Sequence, residues 1–446
     1  MIDNPANFPY NTQLNTFTHT LWRGDGSLDV VLKDAALYTQ RTLRKGDWTI
    51  RQGKLFPLSP NDKAEVPILS LSGKVVIPGF ADAHVHLREP GFSYKETIRT
   101  GALAAARGGY TDVCAMPNLN PPPDSLEHLE EERAIIRRDA CIGVTPYACI
   151  TKGQQGREPV DFKALAPFVA AFSDDGRGVQ SESIMRSAME QAKAADGLIA
   201  AHCEDDRLLS GGFIHDGDYA RRNGIQGISS ESEWRQVERD LRLAKETGCR
   251  YHVCHVSTKE SIALIRRAKA EGADVTCETA PHYLLLCDED LQDDGRFKMN
   301  PPLRSPADRD ALVEGLLDGT IDMIATDHAP HAAREKAGGL KGSLMGIVGL
   351  ETAFAVLHTG LVKTGILPLE RLLPLMIDNP RERFRLPRRA LAEGEPADLA
   401  VLDLNREWVI RSEQFLSMGR ATPFDGMRVT GDCILTITGG EAVWQA

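Results

Sequence analysis

The feature that most restricts the fold is an alternation in the middle of the chain. Eight short apolar runs are separated by longer amphipathic stretches. The runs cover residues 75–86, 111–117, 142–150, 166–173, 197–203, 250–257, 274–280 and 321–327. They are continuous rather than strictly alternating, which suits parallel strands buried on both faces. Stretches between them, such as DSLEHLEEERAIIRRD and ESEWRQVERDLRLAKETG, carry a helical period, and several close on Gly, where a helix should stop. Ser257-Thr258-Lys259-Glu260 sets a hydroxyl ahead of one such period, a helix start signal. Eight β-then-α units predict an α/β fold of the (β/α)8 TIM-barrel type. On alternation alone, a doubly wound open sheet is the alternative.

The ends of the chain read differently. Residues 29–78 hold short β-type runs such as DVVLKDAALY, and residues 389–446 hold ADLAVLDL and MRVTGDCILTITGG. We expect one small β-sandwich domain built from both ends, with the barrel, residues 79–388, inserted between its parts. Residues 1–28 carry little pattern and read as an N-terminal extension. The chain's 446 residues suffice for a full core without disulfide staples.

Composition narrows the function. Lys and Arg number 52 against 63 Asp and Glu, a formal charge of −11, and aromatics are 6%. An acidic chain without a basic, aromatic-bearing stripe is not expected to bind nucleic acid. No apolar run reaches the roughly 18 residues of a membrane span, and the first twenty residues lack a secretory pattern. The nine cysteines are scattered with no C-x-x-C pair, as expected of reduced thiols in a cytoplasmic protein.

The chemistry gathers at the ends of the apolar runs. His84 and His86 close the first. Residues i and i+2 of a strand share a face, so both imidazoles should point into the barrel mouth. That pair alone would suit a metal or simply be two histidines. Position decides, because His202 ends the fifth run, His255 the sixth and Asp327 the eighth. Active-site residues of this fold sit at the C-terminal strand ends. Four imidazoles and one carboxylate exceed what a single structural zinc needs, and fit two ions that share a bridging ligand. The bridge should come from an unused strand. The fourth run ends AFSDDG and offers Asp174 and Asp175.

Several motifs together carry a family resemblance. HVHLREPG (84–91), ARGGYTDVCAMPN (106–118), AHCED (201–205), HVSTKES (255–261), KMNPPLRSP (298–306), ATDHAPH (325–331) and GIVGLE (346–351) resemble class I dihydroorotases of the amidohydrolase superfamily. The likeness runs from about residue 72 to the end. It implies zinc, one or two ions, with His84, His86 and Asp327 on the first and His202 and His255 on the second. Many members of the superfamily bridge the two with a carboxylated lysine. No lysine lies near the fourth strand end, so the chain matches the bacterial branch with an aspartate bridge, Asp175.

The resemblance also implies the reaction, reversible hydrolysis of the ring amide of L-dihydroorotate to N-carbamoyl-L-aspartate in pyrimidine biosynthesis. Asp327 would take a proton from the attacking water and return it to the leaving nitrogen. Arg88, Asn118 and His331 are implied for the substrate carboxylate and Asn300 for the ring. Met345 and Gly346 stand where the family usually has Phe-Gly and would act through their backbone. A homodimer is expected, and association with another enzyme of the pathway is possible. Rival readings are another cyclic amidase, of allantoinase or dihydropyrimidinase type, and a non-catalytic dihydroorotase-like partner subunit. The first does not account for Arg88, Asn118 and His331 together; the second should have lost metal ligands.

Two further expectations concern the surroundings. Residues 328–349, with Gly338, Gly339 and Gly342, could close over the substrate. His282 and His328 should orient neighbours through hydrogen bonds, whereas His252 should point away from the mouth.

Overall fold

A computed structural model describes residues 29–59 and 66–446; residues 1–28, the expected N-terminal extension, lie outside it. Five strands come first: β1 (Val30–Thr39), β2 (Thr42–Arg51), β3 (Lys54–Pro57), β4 (Ile68–Ser70) and β5 (Lys74–Ile77). The barrel strands follow: β6 (Phe80–Val85), β7 (Tyr110–Ala115), β8 (Gly143–Pro146), β9 (Leu198–Ala201), β10 (Arg250–Val253), β11 (Val275–Thr279) and β12 (Met323–Ile324). The chain closes with β13 (Leu399–Val409), β14 (Arg428–Thr438) and β15 (Glu441–Gln445).

The barrel is a ring of parallel strands with two short joints. β6, β7 and β8 form one sheet, and β9, β10, β11 and β12 another. Phe172 joins them on one side by bridging Ala148 and Ile199, and His328 closes the other by bridging Val85. The fourth apolar run therefore supplies little strand. Ala166–Phe168 forms a 3-10 turn instead, with Pro167 in its first positions. Proline has no N–H for a ladder and a φ preset for a turn, so the backbone becomes extended only near Phe172. There Phe172 donates to Leu198 O at 2.9 Å and accepts from Ala200 N at 2.9 Å.

Helices cover the outside as the periods predict. Thr258 caps Lys259–Ala270 by accepting from Ser261 N, and Glu231–Thr247 and Pro306–Asp318 end on the left-handed Gly248 and Gly319. Inside, Ala81, Ala83, Cys114, Ala171, Ala200 and Cys254 pack small side chains around Tyr147, with Phe384 and Leu386 in the same cluster. All nine cysteines are free, and eight are buried.

The two chain ends make one eight-stranded sheet, ordered β15-β14-β13-β5-β1-β2-β3 with β4 beside β1. β5 is the seam, parallel to β1 and antiparallel to β13. The sheet curls on itself: Ala397 N donates to Gly53 O, and Gly440 N to Ala397 O. Val30, Leu32, Ile50, Leu55, Leu399 and Ile437 form the core within. Gly79 turns the chain from β5 into β6 at φ 78°, where a Cβ would lie 2.3 Å from Thr111 Cγ2. Thr436 Oγ1 then ties β14 to the barrel by donating to Ala106 O at 2.7 Å. No helix among the described residues is long and apolar enough to cross a membrane.

Candidate active site at the barrel mouth

The strand ends aim six side chains at one point. His84 lies in β6 and His86 just beyond it, with ring centroids 5.4 Å apart. His202 follows β9, His255 follows β10, Asp175 follows the Phe172 bridge and Asp327 follows β12. All six are buried. His86 Nε2 lies 3.2 Å from Asp327 Oδ1, and His84 Nε2 lies 3.6 Å from the same oxygen. Asp175 reaches all four imidazoles. Its Oδ1 is 3.5 Å from His84 Nε2, 3.5 Å from His255 Nε2 and 3.8 Å from His202 Nδ1, and its Oδ2 is 3.5 Å from His86 Nε2.

Backbone strain concentrates here. His255, Asp327 and Arg88 have φ of 32°, 48° and 62°. Each left-handed conformation costs a non-glycine residue roughly 1 kcal/mol or more, and such strain collects at functional sites.

The two adjacent aspartates part ways. Asp174 Oδ1 accepts from Ile150 N and Thr151 N, and its Oδ2 from the Thr151 hydroxyl, so it clamps the third strand's extension. Asp175 Oδ1, by contrast, is buried without a hydrogen-bond partner, as is His84 Nε2.

The donor set fits a metal. Burial alone would push the Asp175 carboxyl up, but His84 and His255 hold it well below the usual carboxylate range. Asp327 is likewise raised by burial and held below its usual value by His86, His84 and His255. Burial would lower His84, yet Asp175 holds it well above the usual imidazole range. Two persistent carboxylates thus demand positive charge among their imidazoles, and a divalent cation would supply it. His84, His86 and Asp327 form one possible triad and His84, Asp175 and His255 another, each with ligand atoms within 4.8 Å. A third, His84, Cys254 and Glu278, is chemically poorer, because burial pushes the Cys254 thiol up to about 12. The fit therefore rests on the first two groups.

A supporting layer lies beneath. Glu278 Oε1 is 2.8 Å from His84 Nδ1, and its Oε2 is 3.2 Å from His252 Nε2. His252 is thus directed below the mouth. Asp82 accepts from His84 N and Thr326 N and so fastens the first strand to the last. His328 Nε2 lies 3.5 Å from Glu96, which also takes the Ser417 hydroxyl and Met418 N from the C-terminal part. His282 departs from expectation, since its Nε2 is buried without a hydrogen-bond partner.

The expected substrate residues line the same mouth. Arg88 Nε donates to Pro330 O at 3.2 Å. Asn118 Nδ2 donates to Asp175 O at 2.7 Å, and Asn300 Nδ2 to Glu204 Oε2 at 3.1 Å, leaving both amide oxygens buried and unpartnered. His331 Nε2 donates to Met345 O at 2.8 Å, while its Nδ1 lies 3.2 Å from Lys95 Nζ. Burial, with Arg88 and Lys95 nearby, lowers His331 to about 3, so the ring is neutral and Nδ1 accepts. Gly346 sits at φ 136°, where a Cβ would lie 2.6 Å from Ala329 O.

Sequence reasoning missed Glu278, Glu204, Lys95 and Lys336. Glu278 had a signal, the one carboxylate within β11. Lys95 had none because its partners His331 and Glu335 come from a distant segment, and Lys336 had none because its partners are backbone carbonyls.

The family model described as "Dihydro-orotase-like" matches residues 73–261. The dihydroorotase of Geobacillus kaustophilus (strain HTA426) is 54% identical over 388 residues, covering 86% of this chain and 91% of that protein. That of Bacillus caldolyticus is 54% identical over 391 residues, 87% of this chain and 91% of that one. Among solved structures, the L-hydantoinase (dihydropyrimidinase) from Arthrobacter aurescens superposes with a TM-score of 0.83 at 28% identity, covering 94% of this chain and 96% of its own. With its barrel and its two-ended β domain, and with relatives this similar over most of their length, the chain belongs to the dihydroorotase family.

Proposed function

We propose that the chain hydrolyses the ring amide of L-dihydroorotate reversibly to N-carbamoyl-L-aspartate, in the cytoplasm, as a step of pyrimidine biosynthesis. The observation that carries this reading is the meeting of Asp175 and Asp327 with four buried imidazoles beneath Arg88, Asn118 and His331. Zinc, as one or two ions, would be held by His84, His86 and Asp327, by His202 and His255, and by Asp175 between them. Bound there, it supplies an activated water at neutral pH and polarises the amide carbonyl.

The chain's own residues do the rest. Asp327 is ionised at neutral pH and can take a proton from water on one side and give it to the leaving ring nitrogen on the other. Glu278 fixes the His84 ring through Nδ1, leaving Nε2 for the metal. Arg88 offers a planar fork to the substrate carboxylate. His331, neutral and fixed by the Met345 carbonyl, stands beside it. Asn300 offers its free amide oxygen to a ring N–H, and Gly346, whose missing Cβ lets it approach Ala329 and His331 closely, would offer its backbone to the ring.

All these residues belong to the barrel, residues 79–388, with 29–78 and 389–446 as the supporting β domain. A homodimer, and docking to another enzyme of the pathway, are part of the same proposal. Fold likeness also raises a hydantoinase-type activity. The three groups facing a ring carboxylate argue for dihydroorotate instead.

The test is a substrate panel. The protein should turn over L-dihydroorotate, followed by loss of its ultraviolet absorbance, and leave hydantoin, dihydrouracil and allantoin nearly untouched. Comparable turnover of a ring without a carboxylate would move the reading to a general cyclic amidase. No turnover by the metal-loaded protein would favour a non-catalytic partner subunit.

A further inference from the structure

Between the two backbone segments that would hold the substrate ring stands one ammonium group. Lys336 Nζ donates to three backbone carbonyls: Lys298 O at 3.0 Å, Leu344 O at 2.7 Å and Gly346 O at 2.7 Å. An ammonium has three donors, and all three are used. Two of the acceptors belong to the Leu344–Gly346 stretch. The third lies two residues before Asn300. Gly346 N also donates to Lys298 O at 3.0 Å, so the segments meet directly beside the ammonium. Gly295 lets this happen, because a Cβ there would lie 2.2 Å from Lys336 O.

The charge is not needed merely to fill space. Among the described residues no carboxylate forms an ion pair with Lys336. The charged and titratable groups facing it are Lys298, Asp294 and His331. Lys298 is a like charge, its own Nζ bonded to Lys341 O and seated 4.9 Å over the Phe213 ring. Neighbouring Glu335 is engaged by Tyr94 and Lys95 and lies 3.3 Å from His331 Nδ1, and Asp293 is taken by the Leu340 amide. A buried cation without a counter-ion is costly unless something repays it. Three converging carbonyls do so in part, and an anionic ligand in the mouth would do so further.

We propose that Lys336 is a positioning residue for substrate binding: its charged ammonium ties Lys298–Asn300 to Leu344–Gly346 and so fixes the wall against which the ring lies. This rests on the dihydroorotate reading above for the identity of the ring, but not for the tie. The residues expected to form a flexible cover, 328–349, are thereby anchored at their middle. Burial, and Lys298 beside it, lower the Lys336 ammonium to about 7. The charged tie is therefore complete below that pH and weakens as pH rises through it, since a neutral amine offers only two donors to three carbonyls.

The experiment compares wild type, Lys336→Met and Lys336→Arg by steady-state turnover of L-dihydroorotate from pH 6 to 9, with bound metal measured alongside. Hydrogen exchange at the Leu344 and Gly346 amides is measured on the same proteins without substrate. At pH 6 the Met variant should show a KM raised about tenfold, the worth of one charge-assisted bond, with kcat within about threefold and metal unchanged. The wild-type KM should climb toward the Met value by pH 9, whereas Lys336→Arg, which does not titrate there, should lack that climb. The two amides should exchange faster in the Met variant. A Met-variant KM equal to wild type at pH 6, or equal exchange at both amides, would overturn the proposal. If wild type turned over no dihydroorotate, the substrate reading would fail, while the exchange result would still decide the tie. If the Met variant does not fold, the absence or presence of the alkaline climb in the Arg variant decides.

Discussion

Charged side chains are buried at both ends of the barrel, and the two ends treat them differently. At the floor, Asp112 accepts from Arg381 and Arg389, and Arg389 also reaches Asp398. Arg381 adds bonds to Gly79 O, Ile377 O and the Thr111 hydroxyl, with Nε its one unpartnered atom. Two arginines face two aspartates, and the cluster is nearly closed. At the mouth, Asp175 Oδ1, His84 Nε2 and the amide oxygens of Asn118 and Asn300 are buried without partners, and His255 and Asp327 carry strained backbone. Buried polar groups are normally satisfied. The floor closes its charges on one another, whereas the mouth gathers carboxylates and imidazoles whose buried atoms converge at metal-ligand spacing. By that criterion the floor is structural and the mouth functional.

Substitutions can break this contrast. The largest effect should come from Asp327→Asn, which removes the proton acceptor and a metal ligand: turnover should fall by about 10³-fold or more, with the thermal midpoint little changed. Retained activity would take the proton-transfer role from Asp327. Asp112→Ala is the counterpart at the floor. It leaves Arg381 and Arg389 buried with one partner fewer and should cost about 3–5 kcal/mol in denaturant unfolding, while kcat of the folded fraction stays put. Next is Arg88→Ala. Its KM for dihydroorotate should rise by about 30- to 100-fold, roughly 2–3 kcal/mol, with far less effect on residual turnover of dihydrouracil; equal losses would mean that Arg88 does not read the carboxylate. Smallest is Glu278→Gln, which keeps the shape but weakens the hold on His84. Metal affinity measured by competition with a chelator should fall about 10- to 100-fold. An unchanged affinity would make Glu278 a packing residue and blur the line between the two ends.

Much of this was legible in the sequence where residue position and chemistry coincide. His84, His86, His202, His255 and Asp327 each end an apolar run, and a strand end is a defined place in this fold. The choice of Asp175 over Asp174 came from family likeness, and the hydrogen bonds of Asp174 now give it a physical reason. The fourth strand was over-read, because an apolar run does not reveal that Pro167 turns most of it away from the ladder. The floor cluster was invisible, since Asp112 sits within the run TDVCAMP and its partners lie some 270 residues onward. Lys336 was invisible for another reason. Its partners are backbone carbonyls, which have no sequence identity to read.

The most direct test of the functional end is to strip the protein of metal, then return zinc in steps while measuring bound metal and L-dihydroorotate turnover on the same sample. The account predicts no turnover after chelation and recovery in proportion to metal bound. Full turnover by the stripped protein, or metal uptake without any recovery, would contradict it.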